Sequence, residues 1–190
     1  MNIGILISGK GSNMLNIVHA CRNKIIDANV EIVISNKFTE GIIKANKLGV
    51  LTKVVDSKKF VSKDLFEKKI SFLFKKHKVS LICLAGYMKI LGKNFVKEWE
   101  KKIINIHPSL LPSFKGVNAQ SQAIQKGVKY SGCTIHYVSE KLDDGEILDQ
   151  KVVKISNSEN AKTLSKKILI EEHKLYIKVL KKLTKRRSYE

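Results

Sequence analysis

The chain reads as an α/β protein: an open, mostly parallel sheet with helices on both faces and an antiparallel C-terminal hairpin. Three observations predict this. Short apolar runs alternate with amphipathic helical stretches through the first half, the βαβα rhythm of a parallel sheet. The 43% apolar fraction of a 190-residue chain suits a soluble protein with a sizeable core. Late in the chain, the strand-like runs Gly132–Val138 and Glu146–Ile155 are separated by the turn-rich Leu142-Asp143-Asp144-Gly145, which reads as a hairpin connection and not as a crossover.

Taken in order, Ile3–Ser8 is a continuous apolar run and reads as a buried strand. Met14–Arg22 is helical, with Leu15, Ile17 and Val18 facing in. Val30–Ser35 is a second strand. Thr39 is placed to cap a helix that runs to Lys47 and is ended by Gly49. Thr52–Val55 is a short strand. Ser62–His77 is a helix whose apolar face is Leu65, Phe66, Ile70 and Leu73. Leu81–Ala85 and Lys102–Ile106 are compact strands, and Val117–Lys126 is helical. Ser158 or Asn160 opens a long helix through about Leu183. With no linker, repeat or low-complexity segment, residues 1–183 are expected to form a single domain, followed by a flexible basic tail at 184–190.

The net charge of +19 invites a basic nucleic-acid-binding module without turnover as one reading. The type of cation argues against it. Arg22, Arg186 and Arg187 are the only arginines, whereas bidentate phosphate and base contacts favour Arg over Lys. The lysines are spread along nearly every segment, which suits long-range attraction of small anions. No apolar run approaches the roughly 18 residues needed to cross a bilayer, and the N-terminus lacks the basic start and cleavage site of a secretory signal. Cys21, Cys83 and Cys133 are odd in number and far apart, so neither a disulfide scaffold nor a metal site is expected, and a reducing cytoplasm fits.

Two stretches carry chemistry. Ser8-Gly9-Lys10-Gly11-Ser12-Asn13 joins the first strand to the first helix. Glycines allow close backbone approach there, and a helix N-terminus offers free N–H groups to a phosphate. A dinucleotide fingerprint is excluded because its third glycine is Met14, and a triphosphate loop is excluded because no Lys-Ser/Thr pair follows Gly11. A plain tight turn, with Ser12 or Asn13 capping the helix, fits the same residues. The second stretch is Asn105-Ile106-His107-Pro108-Ser109-Leu110-Leu111-Pro112. Asn105 and His107 stand two residues apart on one side of a strand end, and both prolines of the chain follow at once, stiffening the backbone beyond them. Open parallel sheets collect ligands at these carboxyl ends. Asp143, in the hairpin turn, is a candidate third member because a carboxylate beside an imidazole sets its tautomer. Amide, imidazole and carboxylate together suit acyl transfer through an oxyanion. No nucleophile elbow is present, so direct transfer is expected and not a covalent intermediate.

In these stretches, and in Leu84–Leu91, Phe114-Lys115-Gly116, Gly132–Val138 and Glu172-His173, the chain resembles the formyltransferases that use 10-formyltetrahydrofolate. The matches run in family order from Met1 to about Leu183. The Gly-x-Gly-Ser-Asn loop, in a chain of this length, resembles the branch that acts on glycinamide ribonucleotide. The resemblance implies a Rossmann-like fold, a cytoplasmic enzyme of purine biosynthesis, two small-molecule substrates, no metal, no nucleic-acid or membrane partner, and a monomer or homodimer. It makes Asn105, His107 and Asp143 the catalytic trio. It seats the nucleotide phosphate on Gly11, Ser12 and Asn13, and the ribose hydroxyls on Glu172. The folate would lie against Met88, Ile90, Leu91 and Val96, with the Ser139-Glu140-Lys141-Leu142-Asp143 loop opposite and Lys63 and Lys89 near its glutamate tail.

The chain departs from that family pattern at several positions. Lys63 and Lys89 stand where the family often has Arg, Gln120 where it commonly has His, and Asp144 where it has a small residue. Asp144 is expected to point to solvent. Two rival formyl chemistries are less suited. A tRNA formyltransferase would need an added C-terminal tRNA-binding domain, and a hydrolase normally carries an N-terminal regulatory domain.

Overall fold

The computed structural model describes residues 1–186. A seven-stranded sheet forms its centre, with strands β1 (Asn2–Ile7), β2 (Asn29–Ser35), β3 (Thr52–Val54), β4 (Leu81–Leu84), β5 (Ile103–His107), β6 (Tyr130–Tyr137) and β7 (Ile147–Lys154). Their spatial order is β3-β2-β1-β4-β5-β6-β7. The first five run parallel, and β6 and β7 pair antiparallel to their neighbours. The expected α/β architecture and its C-terminal hairpin are therefore present. Strand order reverses between β1 and β4, so a crevice opens beyond their carboxyl ends, the usual ligand position in such sheets.

Helices α1 (Ser12–Arg22), α2 (Glu40–Lys47), α3 (Lys63–Lys76), α4 (Lys93–Glu98), α5 (Ala119–Gln125) and α6 (Ala161–Arg186) cover the sheet. Side-chain alternation along β1 makes two cores. Ile3, Ile5 and Ile7 pack with Met14, Ile17, Tyr176 and Val179 on the α1 and α6 side. Leu6 packs with Phe66, Ile70, Phe74 and Trp99 on the α3 and α4 side. Tyr176 is completely buried and directs its hydroxyl to the Leu84 carbonyl at 3.0 Å, which pins α6 to β4 without an orphaned polar group.

Local signals explain most boundaries. Thr39 Oγ1 accepts the Ile42 N–H, so its predicted cap operates, and Ser62, read as the first helical residue, caps α3 by accepting the Leu65 N–H at its Oγ. Asn160, and not Ser158, caps α6: its side chain accepts the N–H groups of Lys162 and Thr163. α6 continues to Arg186, so the part of the expected flexible tail at 184–186 is helical. Residues 187–190 of that tail lie outside the described residues. Three details differ from the sequence reading. Leu65 is exposed and Glu67 takes a buried place on α3. The segment read as helical from Val117 begins its helix at Ala119. α4 was not anticipated; six residues after Gly92 are too short for a periodic signal. Among the described residues no helix is long and apolar enough to cross a membrane.

Candidate active site

β1, β4 and β5 end side by side, and each releases one part of the site. After β1, Gly11 adopts φ 74°, a left-handed turn, and heads α1. No side chain caps this helix among the described residues, and its first turn carries no acid. The capping role open to Ser12 or Asn13 is thus not used, and the first-turn N–H groups face the crevice. The Asn13 side chain turns inward: its Nδ2 donates to Glu172 Oε2 at 2.7 Å. The Asn13 side chain is thus engaged by α6, and its backbone N–H remains at the first turn of α1. Glu172, on α6, is 8% exposed. Burial raises its carboxyl above the usual range, and the Asn13 bond offsets this only in part.

A second glycine lets the loop after β1 lie close to α2. The Gly41 N–H donates to the Gly9 carbonyl at 3.1 Å, and a Cβ at Gly41 would stand 2.7 Å from that oxygen. α2 thus packs against the loop with no side chain between them.

After β5, the sheet register assembles the polar cluster. β6 pairs antiparallel to β5 with Asn105 opposite His136 and His107 opposite Thr134, so all four side chains share a face. Burial pushes the His136 imidazole below its ordinary range, although its bond to the Tyr137 carbonyl and the nearby Asp143 carboxylate act the other way. The neutral ring donates from Nδ1 to the Tyr137 carbonyl at 2.8 Å, leaving Nε2 to accept from Asn105 Nδ2 at 3.3 Å. This orients the Asn105 amide and leaves its second hydrogen free for a ligand.

The His107 ring donates from Nε2 to the Phe114 carbonyl at 2.8 Å and turns Nδ1 to Asp143 Oδ2 at 3.3 Å. Asp143 has φ 47°, a conformation that Asp tolerates better than most residues. Its Oδ2 also accepts the Gly116 N–H at 2.8 Å, while Oδ1 lies 3.8 Å from His136 Nε2. Asn105, His107 and Asp143, predicted from separate stretches, therefore meet, and His136 stands between the first and the last. Thr134 secures the loop beyond His107: its hydroxyl donates to the Ser109 carbonyl and accepts the Leu111 N–H. The prolines alone do not hold that loop.

After β4, the expected folate residues divide. Met88 and Ile90 are 76% and 61% exposed, and Leu142 across the crevice is half exposed. Leu91 and Val96 are buried in the α3 and α4 core, so they support the wall from behind. Lys89 lies over the Phe66 ring at 6.0 Å and Lys63 is 3.9 Å from Glu67, placing both cations on the α3 side. In the facing loop, Ser139 donates to the Lys141 carbonyl and Glu140 pairs with Lys93. Asp144 points to solvent and pairs with Lys115, whose hydrogen bond and charge lower its carboxyl below the usual range. Gln120 is half-buried at the start of α5.

Sequence reasoning assigned no role to His136, Thr134 or Gly41. Beside the Gly132–Val138 resemblance, the signal for two of them was the alternation of Thr134 and His136 on a strand-like run. Alternation names a face; the partner strand decides what that face meets.

Comparison with known proteins identifies the family. The family model described as formyl transferase matches residues 1–180. The trifunctional purine biosynthetic protein adenosine-3 of Homo sapiens is 40% identical over 175 residues, covering 92% of this chain and 17% of that protein. The chain thus spans less than a fifth of the trifunctional relatives it matches. The phosphoribosylglycinamide formyltransferase of Bacillus subtilis is 37% identical, with 94% of this chain and 92% of that one covered. Among solved structures, glycinamide ribonucleotide transformylase 1 from Symbiobacterium toebii superposes with a TM-score of 0.96 at 36% identity, covering 98% of this chain and 89% of that one. The phosphoribosylglycinamide formyltransferase from Anaplasma phagocytophilum gives 0.91 at 42% identity, with 97% and 87% covered. The chain belongs to the formyl transferase family, on its phosphoribosylglycinamide formyltransferase branch.

Proposed function

We propose that the chain transfers the formyl group of 10-formyltetrahydrofolate to the primary amine of glycinamide ribonucleotide, a step of purine biosynthesis. The observation that carries this reading is the meeting of Asn105, His107, His136 and Asp143 in one crevice, between an uncapped helix N-terminus and an exposed apolar wall.

The nucleotide phosphate lies on the backbone N–H groups from Gly11 to Asn13, and the ribose hydroxyls donate to Glu172. The pterin lies along Met88 and Ile90, backed by Leu91 and Val96, with the loop from Ser139 to Asp143 opposite. Lys63 and Lys89 face the glutamate tail as point charges without the fork of an arginine.

The amine attacks the formyl carbon, a C–N bond forms, and the carbonyl electrons move to oxygen. The free amide hydrogen of Asn105 meets that oxyanion. Both His107 nitrogens have partners, so the oxyanion shares Nδ1 as a donor with Asp143 Oδ2, 3.3 Å away. One such donor lowers the barrier by about 3–4 kcal/mol. Asp143 also orders a water that takes the amine's proton and returns it to the departing folate nitrogen as the old C–N bond breaks. Two small-molecule substrates suffice, and the three unpaired cysteines fit a cytoplasmic location.

The test follows deformylation of a 10-formyl folate spectroscopically, with and without glycinamide ribonucleotide. Nucleotide-dependent loss is expected. Loss independent of the nucleotide would mark a hydrolase, and no loss would end the enzyme reading.

A further inference from the structure

Ser8 is 6% exposed and belongs to neither substrate surface, yet it touches three strand ends at once. Its hydroxyl donates to Asn36 Oδ1 at 2.6 Å, just beyond β2, and accepts the Met88 N–H at 2.9 Å, just beyond β4. Its own N–H donates to the Gly86 carbonyl at 3.1 Å. Gly9 follows directly and is held from its other side by Gly41. A hydroxyl has one proton to give and lone pairs to receive, and Ser8 uses both kinds of capacity. The phosphate loop thus leaves the chain one residue after Ser8, while the apolar wall at Met88 hangs from its side chain.

We infer that Ser8 is a positioning residue that sets the distance between the nucleotide and folate subsites, with Asn36 orienting its hydroxyl. This rests on the formyl-transfer reading. Direct transfer requires the amine and the formyl carbon to stand about 3–3.5 Å apart, and a misplacement of about 1 Å costs on the order of a hundredfold in rate. The two reactants are carried by separate loops. Phosphate binding fixes one loop and pterin stacking the other, and neither substrate by itself sets the spacing between them. Ser8 is the side chain that hydrogen-bonds across from one loop to the other. Replacing it by Ala leaves each subsite's own contacts in place and removes that link.

The experiment compares wild type, Ser8→Ala and Asn36→Ala, measuring kcat, KM for each substrate and the thermal melt. For Ser8→Ala, kcat per folded molecule is expected to fall about tenfold or more, with each KM moving by less than about threefold. Asn36→Ala keeps the hydroxyl but frees its direction and should show a smaller loss of the same kind. It carries the test if Ser8→Ala does not fold. A lowered melting temperature with unchanged kcat would make Ser8 merely structural and overturn the inference. So would a loss confined to one KM, which would place Ser8 in a single subsite. If wild type turns over and both variants match it, the inference alone falls; if wild type shows no transfer, the functional reading falls and takes the inference with it.

Discussion

Asp143→Asn isolates charge from shape at the centre of the site. In wild type, Oδ2 accepts the Gly116 N–H at 2.8 Å and faces His107 Nδ1 at 3.3 Å, while Oδ1 is 3.8 Å from His136 Nε2. An asparagine can keep its oxygen toward Gly116, while its amide must share with Asn105 the single lone pair of His136 Nε2. The backbone at φ 47° is as open to Asn as to Asp. Charge-assisted bonds of about 1.5–3 kcal/mol become neutral ones of about 0.5–1.5, a net cost near 1 kcal/mol. For a chain of this size that is a melting shift of about 2–4 °C. Turnover loses the anion facing His107 and the carboxylate that orders the relaying water. At about 3–4 kcal/mol for one preorganised group, kcat should drop by roughly a hundred- to a thousandfold. Single-wavelength deformylation at saturating nucleotide measures this, alongside a melt. A folded variant with kcat within threefold of wild type would remove Asp143 from the mechanism.

Other outcomes follow from particular contacts. Gly11→Ala places a Cβ at φ 74°, 2.8 Å from Met14 Cε and 3.1 Å from Gly41 Cα; it should cost about 1–2 kcal/mol in a denaturant titration and raise the nucleotide KM. Glu172→Gln should weaken nucleotide binding yet stabilise the free protein at neutral pH. Burial raises the folded carboxyl's pKa, so this site's stability is fully present below the unfolded value near 4.3 and is lost as pH rises through the folded one. The melting difference, variant minus wild type, should therefore grow from pH 4 to pH 8; a constant or shrinking difference contradicts the burial argument. Asp144→Gly removes a carboxylate that is 41% exposed and paired only with Lys115 among the described residues; kcat should stay within about twofold, because exposed ion pairs contribute little. A larger fall would mean that the pair holds the Asp143 turn in place.

Much of the sheet was legible because buried parallel strands are continuous apolar runs. Ile3–Ser8 and Leu81–Ala85 need no partner to be recognised. Helix faces were less secure. Leu65 fits the apolar stripe of α3 by spacing but is exposed, whereas Glu67 is buried because its Oε1 accepts the Gly92 N–H at 2.8 Å. That bond joins α3 to a distant loop, and no periodicity within the helix encodes it. The Asn13 side chain was illegible for the same reason: a polar residue at a helix start suggests a cap, and its partner Glu172 reaches it from far along the chain.

The sequence by itself determined the elements and the chemical types at their ends, because apolar period, glycine and proline act within a few residues. It placed an amide and an imidazole at one strand terminus, a glycine loop at another and an acid in a turn. Which of these groups meet was decided by tertiary structure alone. Pairing of β6 with β5 brought His136 to Asn105, the turn after β6 brought Asp143 to His107, and strand order set Ser8 between two loops. Hydrogen bonds act over about 3 Å, and only the folded sheet brings groups so distant along the chain within that reach.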